Sequence, residues 1–291
     1  MTSIAVIGPG AVGGTLAAWL AQAPAHAVIV CARTPFESLT VQTPDGAISA
    51  HPRVATAAEG LPPVDWVLVA TKTYDTDGTL AWLDALVGPE TRVAILRNGV
   101  EHLEPFAGRI AADRLVPAVV DIPAERSAPG RVLQRRNGWI KVPASPAGEV
   151  FAALFAHTPI AVEAVDDFKT EAWKKLALNC AGAVNALILK PAGVAQDEGV
   201  AQVMRSLVAE CMAVARAEGA SLPDDLADQV IAGYRAADPG SVNSLHADRA
   251  AGRSLELDAR NGVIVRRGAA HGIPTPVNAM IVALLQAATR P

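Results

Sequence analysis

Along the first third of the chain, short apolar runs alternate with segments of helical spacing. Ile4 to Ile7 is a β-branched run, and apolar positions recur at helical intervals from Val12 to Ala21. Ala27 to Cys31, Val67 to Ala70 and Val93 to Leu96 are further continuous apolar runs, with a helix predicted from Thr79 to Val87. Short, Val-rich, non-alternating runs suit strands buried on both faces of a parallel sheet. Their alternation with helices predicts right-handed crossovers and a doubly wound sheet. Asp45-Gly46, set between two short runs, predicts a hairpin after the second strand.

Beyond Arg114 the pattern changes. Leu115 to Val120, Val132 to Gln134 and Trp139 to Val142 read as strands that close the sheet, separated by Pro and Gly turns. A helix from Val150 to Ala156 and a strand from Ile160 to Val165 follow. After Asp166-Asp167 the strand signals stop. Helical spacing runs through Phe168–Leu189, Glu198–Glu218, Asp224–Ala236, Val242–Ala251, Glu256–Ala270 and Val277–Ala288. Pro191, Pro223, Pro239 and the Pro274/Pro276 pair punctuate these segments, and Pro276 suits the first turn of the last helix. The expected architecture is an N-terminal Rossmann-type α/β domain over residues 1–167 and an all-helical domain over residues 168–291.

Composition narrows the function. A chain of 291 residues with 51% hydrophobic and 19% charged residues can bury real cores and does not read as disordered. A net charge of −4 and 4% aromatic residues argue against nucleic acid as a partner. The longest apolar stretch, Leu176 to Leu189, carries Asn179 and Asn185 and is too short to span a bilayer. The opening residues lack the basic start of a signal peptide. Cys31, Cys180 and Cys211 are odd in number and far apart, so they read as small buried hydrophobes in a reducing compartment. The six histidines show no metal-ligand spacing. The expectation is a cytoplasmic protein with no membrane, nucleic-acid or metal partner; a homodimer is left open.

Gly8-Pro9-Gly10-Ala11-Val12-Gly13 follows a predicted strand and opens a predicted helix. In that context the glycines let backbone approach a pyrophosphate seated on a helix N-terminus, the signature of dinucleotide binding. An NAD site usually places an acid at the end of the second strand, but this chain reads Cys31-Ala32-Arg33-Thr34. Arg33 can pair with a 2′-phosphate through a guanidinium fork, which favours NADP; the alternative is a solvated loop cation. Lys72 and Asn98 each follow a core strand at the ligand-binding edge of such a sheet, though either could be an ordinary loop residue.

Within Glu171-Ala172-Trp173-Lys174-Lys175-Leu176-Ala177-Leu178-Asn179, Lys175 and Asn179 are spaced i,i+4 and share a helix face amid apolar neighbours. Polar groups so placed need partners or a ligand. The chain resembles the ketopantoate reductase (2-dehydropantoate 2-reductase) family in IGPGAVGG, Ala70-Thr71-Lys72, Asn98-Gly99 and this helix. The likeness continues through Ser244 with Asp248, Glu256-Leu257-Asp258 with Asn261-Gly262, and the closing stretch from His271 to Asn278.

The resemblance implies NADPH-dependent reduction of an α-keto acid to the 2-hydroxy acid, with ketopantoate as substrate. It implies that Lys175 is the general acid and that Glu256 lies near cofactor and lysine. Asn98 falls between nicotinamide and substrate, and Asn179 and Ser244 bind substrate. Two departures bear on the substrate. Ala183 stands where the family usually has a second asparagine, and Asn185 is two positions further round the helix. Arg97 replaces an uncharged polar residue, to bind a second acidic group or to face solvent. Competing readings are a reductase of another keto acid, a β-hydroxyacid-type dehydrogenase, and an NADP(H) sensor without turnover.

Overall fold

The computed structural model describes residues 1–290. Strands β1 (Thr2–Ile7), β2 (His26–Cys31), β5 (Arg53–Ala55), β6 (Trp66–Val69), β7 (Arg92–Ile95) and β8 (Leu115–Pro117) form one parallel sheet, ordered β5-β2-β1-β6-β7-β8. Helix α1 (Ala11–Leu20) joins β1 to β2, and α2 (Thr76–Leu86) joins β6 to β7. The reason for the unbroken apolar runs is visible in β1. Ile4 and Val6 enter a core with Leu16 and Leu20 of α1, while Ala5 and Ile7 enter another with Leu83 and Leu86 of α2. A strand covered on both faces has no polar side to alternate with.

The hairpin expected at Asp45-Gly46 is present as β3 (Leu39–Thr43) and β4 (Gly46–Ala50), with Gly46 at φ +129°. The strands expected to close the sheet do otherwise. Leu115–Val120 divides at Ala118: β8 stays on the parallel sheet, and β9 (Val119–Asp121) pairs antiparallel with β12 (Trp139–Pro143). Pro117 has no N–H to offer a further neighbour, so β8 is an edge. β12 in turn pairs with β13 (Ala161–Val165), making a three-stranded sheet. A four-stranded sheet, β10-β11-β3-β4, takes the predicted strand Val132–Gln134 into β11 (Arg131–Gln134) and adds β10 (Ala124–Ala128). β10 carries no apolar run, reading Ala-Glu-Arg-Ser-Ala, and was not expected. Helix α3 (Pro146–Ala153) starts ahead of the predicted Val150 because the Ser145 hydroxyl accepts from Gly148 N at 3.1 Å, with Pro146 at the first helical position.

The remaining elements are helical: α4 (Phe168–Ala181), α5 (Ala183–Ile188), α6 (Glu198–Ala217), α7 (Leu226–Ala236), α8 (Ser244–Ala250), α9 (Val263–Ala270) and α10 (Pro276–Thr289), the last opening on Pro276 as expected. Two predicted helices are divided. Phe168–Leu189 breaks at Gly182, whose carbonyl accepts from Asn243 Nδ2 at 2.9 Å and keeps only a long 3.4 Å bond from Ala186 N. Glu256–Ala270 begins instead with a π-helical turn, Asp258–Gly262, which carries Arg260 and Asn261 into the interior. α6 runs through the core of this part, burying Met204, Leu207, Val208, Cys211 and Val214.

Two compact units result: Met1–Arg97 with Glu101–Phe168, and Asn98–Val100 with the chain from Lys169 onward. No helix among the described residues is long and apolar enough to cross a membrane.

Candidate active site

In the first unit, β1 lies between β2 and β6, so the connections leaving β1 and β6 diverge and open a crevice at their C-terminal ends. The glycine turn Gly8–Gly13 sits there. Gly8 adopts φ +85°, and a Cβ on it would meet Thr71 Cγ2 at 2.8 Å, so the two loops pack backbone to backbone. A Cβ on Gly13 would stand 2.3 Å from the Gly8 carbonyl oxygen. Gly10 is the opposite case, since a Cβ there would meet nothing within 4 Å. The α1 N-terminus has no side-chain cap and no acid in its first turn. Open space before Gly10, beside uncapped N–H groups at the positive end of a helix, fits a pyrophosphate.

Arg33 leaves the end of β2 with its side chain 89% exposed. The structure brings an acid to it from elsewhere in the chain, Asp75, at 3.9 Å. Lys72 is half-buried on the loop after β6. Arg97 does not face solvent: it is buried, its Nη2 donating to Thr71 Oγ1 at 2.5 Å and Thr79 Oγ1 at 2.8 Å. Its Nη1 donates to Thr76 Oγ1 at 3.0 Å, and the guanidinium lies 5.2 Å over the Phe106 ring. It thus braces the loop that packs on Gly8.

The other site residues fall in the second unit. Asn98, although it follows β7 in sequence, belongs there, and its Nδ2 donates to Glu256 Oε2 at 2.9 Å. Glu256 is buried. The next residue, Gly99, has φ +97°, and a Cβ on it would meet the Ala259 carbonyl oxygen at 2.8 Å, which seats this segment against the π-helical turn. Lys175 and Asn179 are half-buried one turn apart on α4, as their spacing requires. Ser244 is the first residue of α8, positioned by Asn243, whose Oδ1 accepts from His246 N at 3.0 Å.

Sequence reasoning missed Arg260. It is 2% exposed, its Nη2 donates to the Asn179 carbonyl, and its Nη1 reaches Ser244 Oγ at 3.5 Å. It therefore ties together two residues that sequence reasoning singled out separately. Burial lowers its pKa, opposed by electrostatic attraction to Tyr234 and Glu256. Burial also pushes the Tyr234 phenol up to about 12, so it stays a neutral donor, here to the Leu178 carbonyl at 3.2 Å. Ala183 is fully buried, and Asn185 spends its Nδ2 on the Lys190 and Pro191 carbonyls at 3.0 Å, as an end-cap of α5.

A parallel dinucleotide-type sheet, joined in one chain to a helical unit that bonds an amide to a buried carboxylate and carries a half-buried lysine on α4, defines an NAD(P)-dependent oxidoreductase. Residues 4–147 match the family described as Ketopantoate reductase PanE/ApbA, and residues 167–289 match its C-terminal counterpart. The chain belongs to this family. It is 83% identical over 288 residues to a 2-dehydropantoate 2-reductase of Caulobacter vibrioides, covering 99% of each chain. It is 40% identical over 291 residues to the 2-dehydropantoate 2-reductase of Mycobacterium tuberculosis, covering 99% of this chain and 98% of the other. The solved 2-dehydropantoate 2-reductase of Geobacter metallireducens superposes with a TM-score of 0.93 at 27% identity, over 99% of this chain and 100% of that one.

Proposed function

We propose that this chain reduces 2-dehydropantoate to pantoate with NADPH, as a cytoplasmic step of pantothenate biosynthesis. Residues 1–167 form the dinucleotide domain in this reading, and residues 168–291 the substrate domain. The observation that carries it is the bond from Asn98 to the buried Glu256, which joins two distant family positions in one cluster.

With its pyrophosphate on the glycine turn, a bound NADPH would supply a hydride from its nicotinamide. The turn Gly8, Pro9, Gly10, Ala11, Val12 and Gly13 holds the pyrophosphate through backbone N–H groups, Arg33 receives the 2′-phosphate, and Lys72 contacts phosphate or ribose. As hydride reaches C2 of the keto acid, negative charge grows on the carbonyl oxygen. The Lys175 ammonium stabilises that charge and gives the oxygen its proton, so ketone becomes hydroxyl and lysine becomes a neutral amine that solvent reprotonates. Asn98 and Asn179 donate to substrate oxygens without adding charge, and Ser244 donates to the carboxylate. Glu256 would orient Lys175 and, with Asn98, would help to hold the nicotinamide.

The test is NADPH oxidation at about 340 nm against a panel of 2-oxo acids. 2-Dehydropantoate is expected to give the highest kcat/KM. Lys175→Ala is expected to lower kcat roughly 100- to 10,000-fold with NADPH affinity unchanged. Turnover on none of the panel, with NADPH bound tightly, would identify a sensor.

A further inference from the structure

Arg260 makes few bonds for a guanidinium buried so completely. It has five N–H donors and no acceptor. Nη2 serves the Asn179 carbonyl, Nη1 reaches Ser244 Oγ only at 3.5 Å, and Nε has no partner. Among the described residues no carboxylate forms an ion pair with it. Of the two carboxylates whose charge it feels at a distance, Asp248 is paired with Arg253 at 2.8 Å and Glu256 accepts from the neutral Asn98 amide at 2.9 Å, and neither hydrogen-bonds the guanidinium. A buried guanidinium with an unbonded Nε and no carboxylate seated in its fork is under-satisfied, and a ligand carboxylate supplies the missing acceptors with a charge in direct contact. The donors still open belong to a side chain that already touches Asn179 and Ser244, two positions read as substrate-binding.

We propose that Arg260 receives the carboxylate of the 2-oxo acid and sets the preference for acids over their neutral amides. The proposal rests on the reductase reading of the same cluster. The π-helical turn has a purpose in it, since the extra residue in the turn carries the guanidinium inward. A planar fork matches two carboxylate oxygens, and its charge rejects a neutral isostere.

Calorimetric titration of the NADP-bound enzyme with pantoate and with pantoamide separates this from a purely structural brace on the Asn179 carbonyl. The unmodified enzyme is expected to bind pantoate at least about tenfold more tightly than pantoamide. Arg260→Met is expected to weaken pantoate about 100-fold and leave pantoamide within about threefold. Equal loss for both ligands, or an undiminished preference for the acid, overturns the proposal. Should Arg260→Met not fold, Arg260→Lys decides: about a tenfold loss confined to pantoate supports the fork, and an unchanged pantoate affinity overturns it. NADPH oxidation in parallel reports on the reductase reading alone. An enzyme that binds pantoate through Arg260 without turning over keeps the anchor and loses the reaction.

Discussion

Arg33, Arg97 and Arg260 carry the same charge in three different settings, and the setting decides the role of each. Arg33 is almost fully solvated, and its 3.9 Å approach to Asp75 is a screened surface contact that adds little stability. It is therefore free to turn to a phosphate. Arg33→Ala is expected to raise KM for NADPH about 10- to 100-fold and to leave KM for NADH within about twofold, read from initial rates with each cofactor. Equal changes would remove Arg33 from cofactor selection. Arg97 and Arg260 were not legible as buried groups, because arginine is mostly exposed and nothing adjacent in sequence announces their partners. The hydroxyls that hold Arg97 come from Thr71, Thr76 and Thr79, and only the approach of the β6 loop to α2 assembles them. Lys175 and Asn179, by contrast, were readable because i,i+4 spacing is a local property of a helix.

At the level of elements, the glycine turn and every strand of the parallel sheet except the three-residue β5 were plain in the sequence, since both depend on neighbouring residues. Helix interruptions were not. Gly182 and the Asp258–Gly262 turn break regular spacing through partners far along the chain, Asn243 and Asn98-Gly99 among them. β10 was hidden for a similar reason: it is exposed and polar, and exists by pairing with β11. The start of α10 shows how one side chain can hold such an end. Glu210 accepts from Val277 N at 2.8 Å, Asn278 N at 2.9 Å and Asn278 Nδ2 at 2.7 Å, a carboxylate at the positive end of a helix. Asn278, fully buried, passes the network to Asn261 at 2.9 Å. Glu210→Ala is expected to cost about 2–4 kcal/mol, because three donors lose a charged acceptor. Chemical denaturation measures it, and a loss below about 1 kcal/mol would contradict it.

For the whole molecule, the cysteines act as reporters of two separate interiors. Cys31 lies in the core of the first unit, where burial pushes its thiol up to about 12. Cys180 and Cys211 are fully buried in the second, and burial raises Cys211 well above its ordinary value. All three are unpaired. Thiolate is the reactive form, so the native protein is expected to leave Ellman's reagent unreacted at about pH 8 over minutes, and to titrate fully in guanidinium chloride. Mapping which thiol appears first along a denaturant series then tells which unit opens first. A fast-reacting native cysteine would contradict this burial.

The tripeptide Asn98-Gly99-Val100 is a splice from the α/β half of the gene into the helical half of the protein. Val100 packs on the helical core, Gly99 fits under Ala259, and Asn98 occupies Glu256. Any attempt to express the C-terminal stretch by itself, from Lys169 on, delivers a fragment with a missing wedge, and a recombined chimaera of two relatives must take this tripeptide from the same parent as its helices.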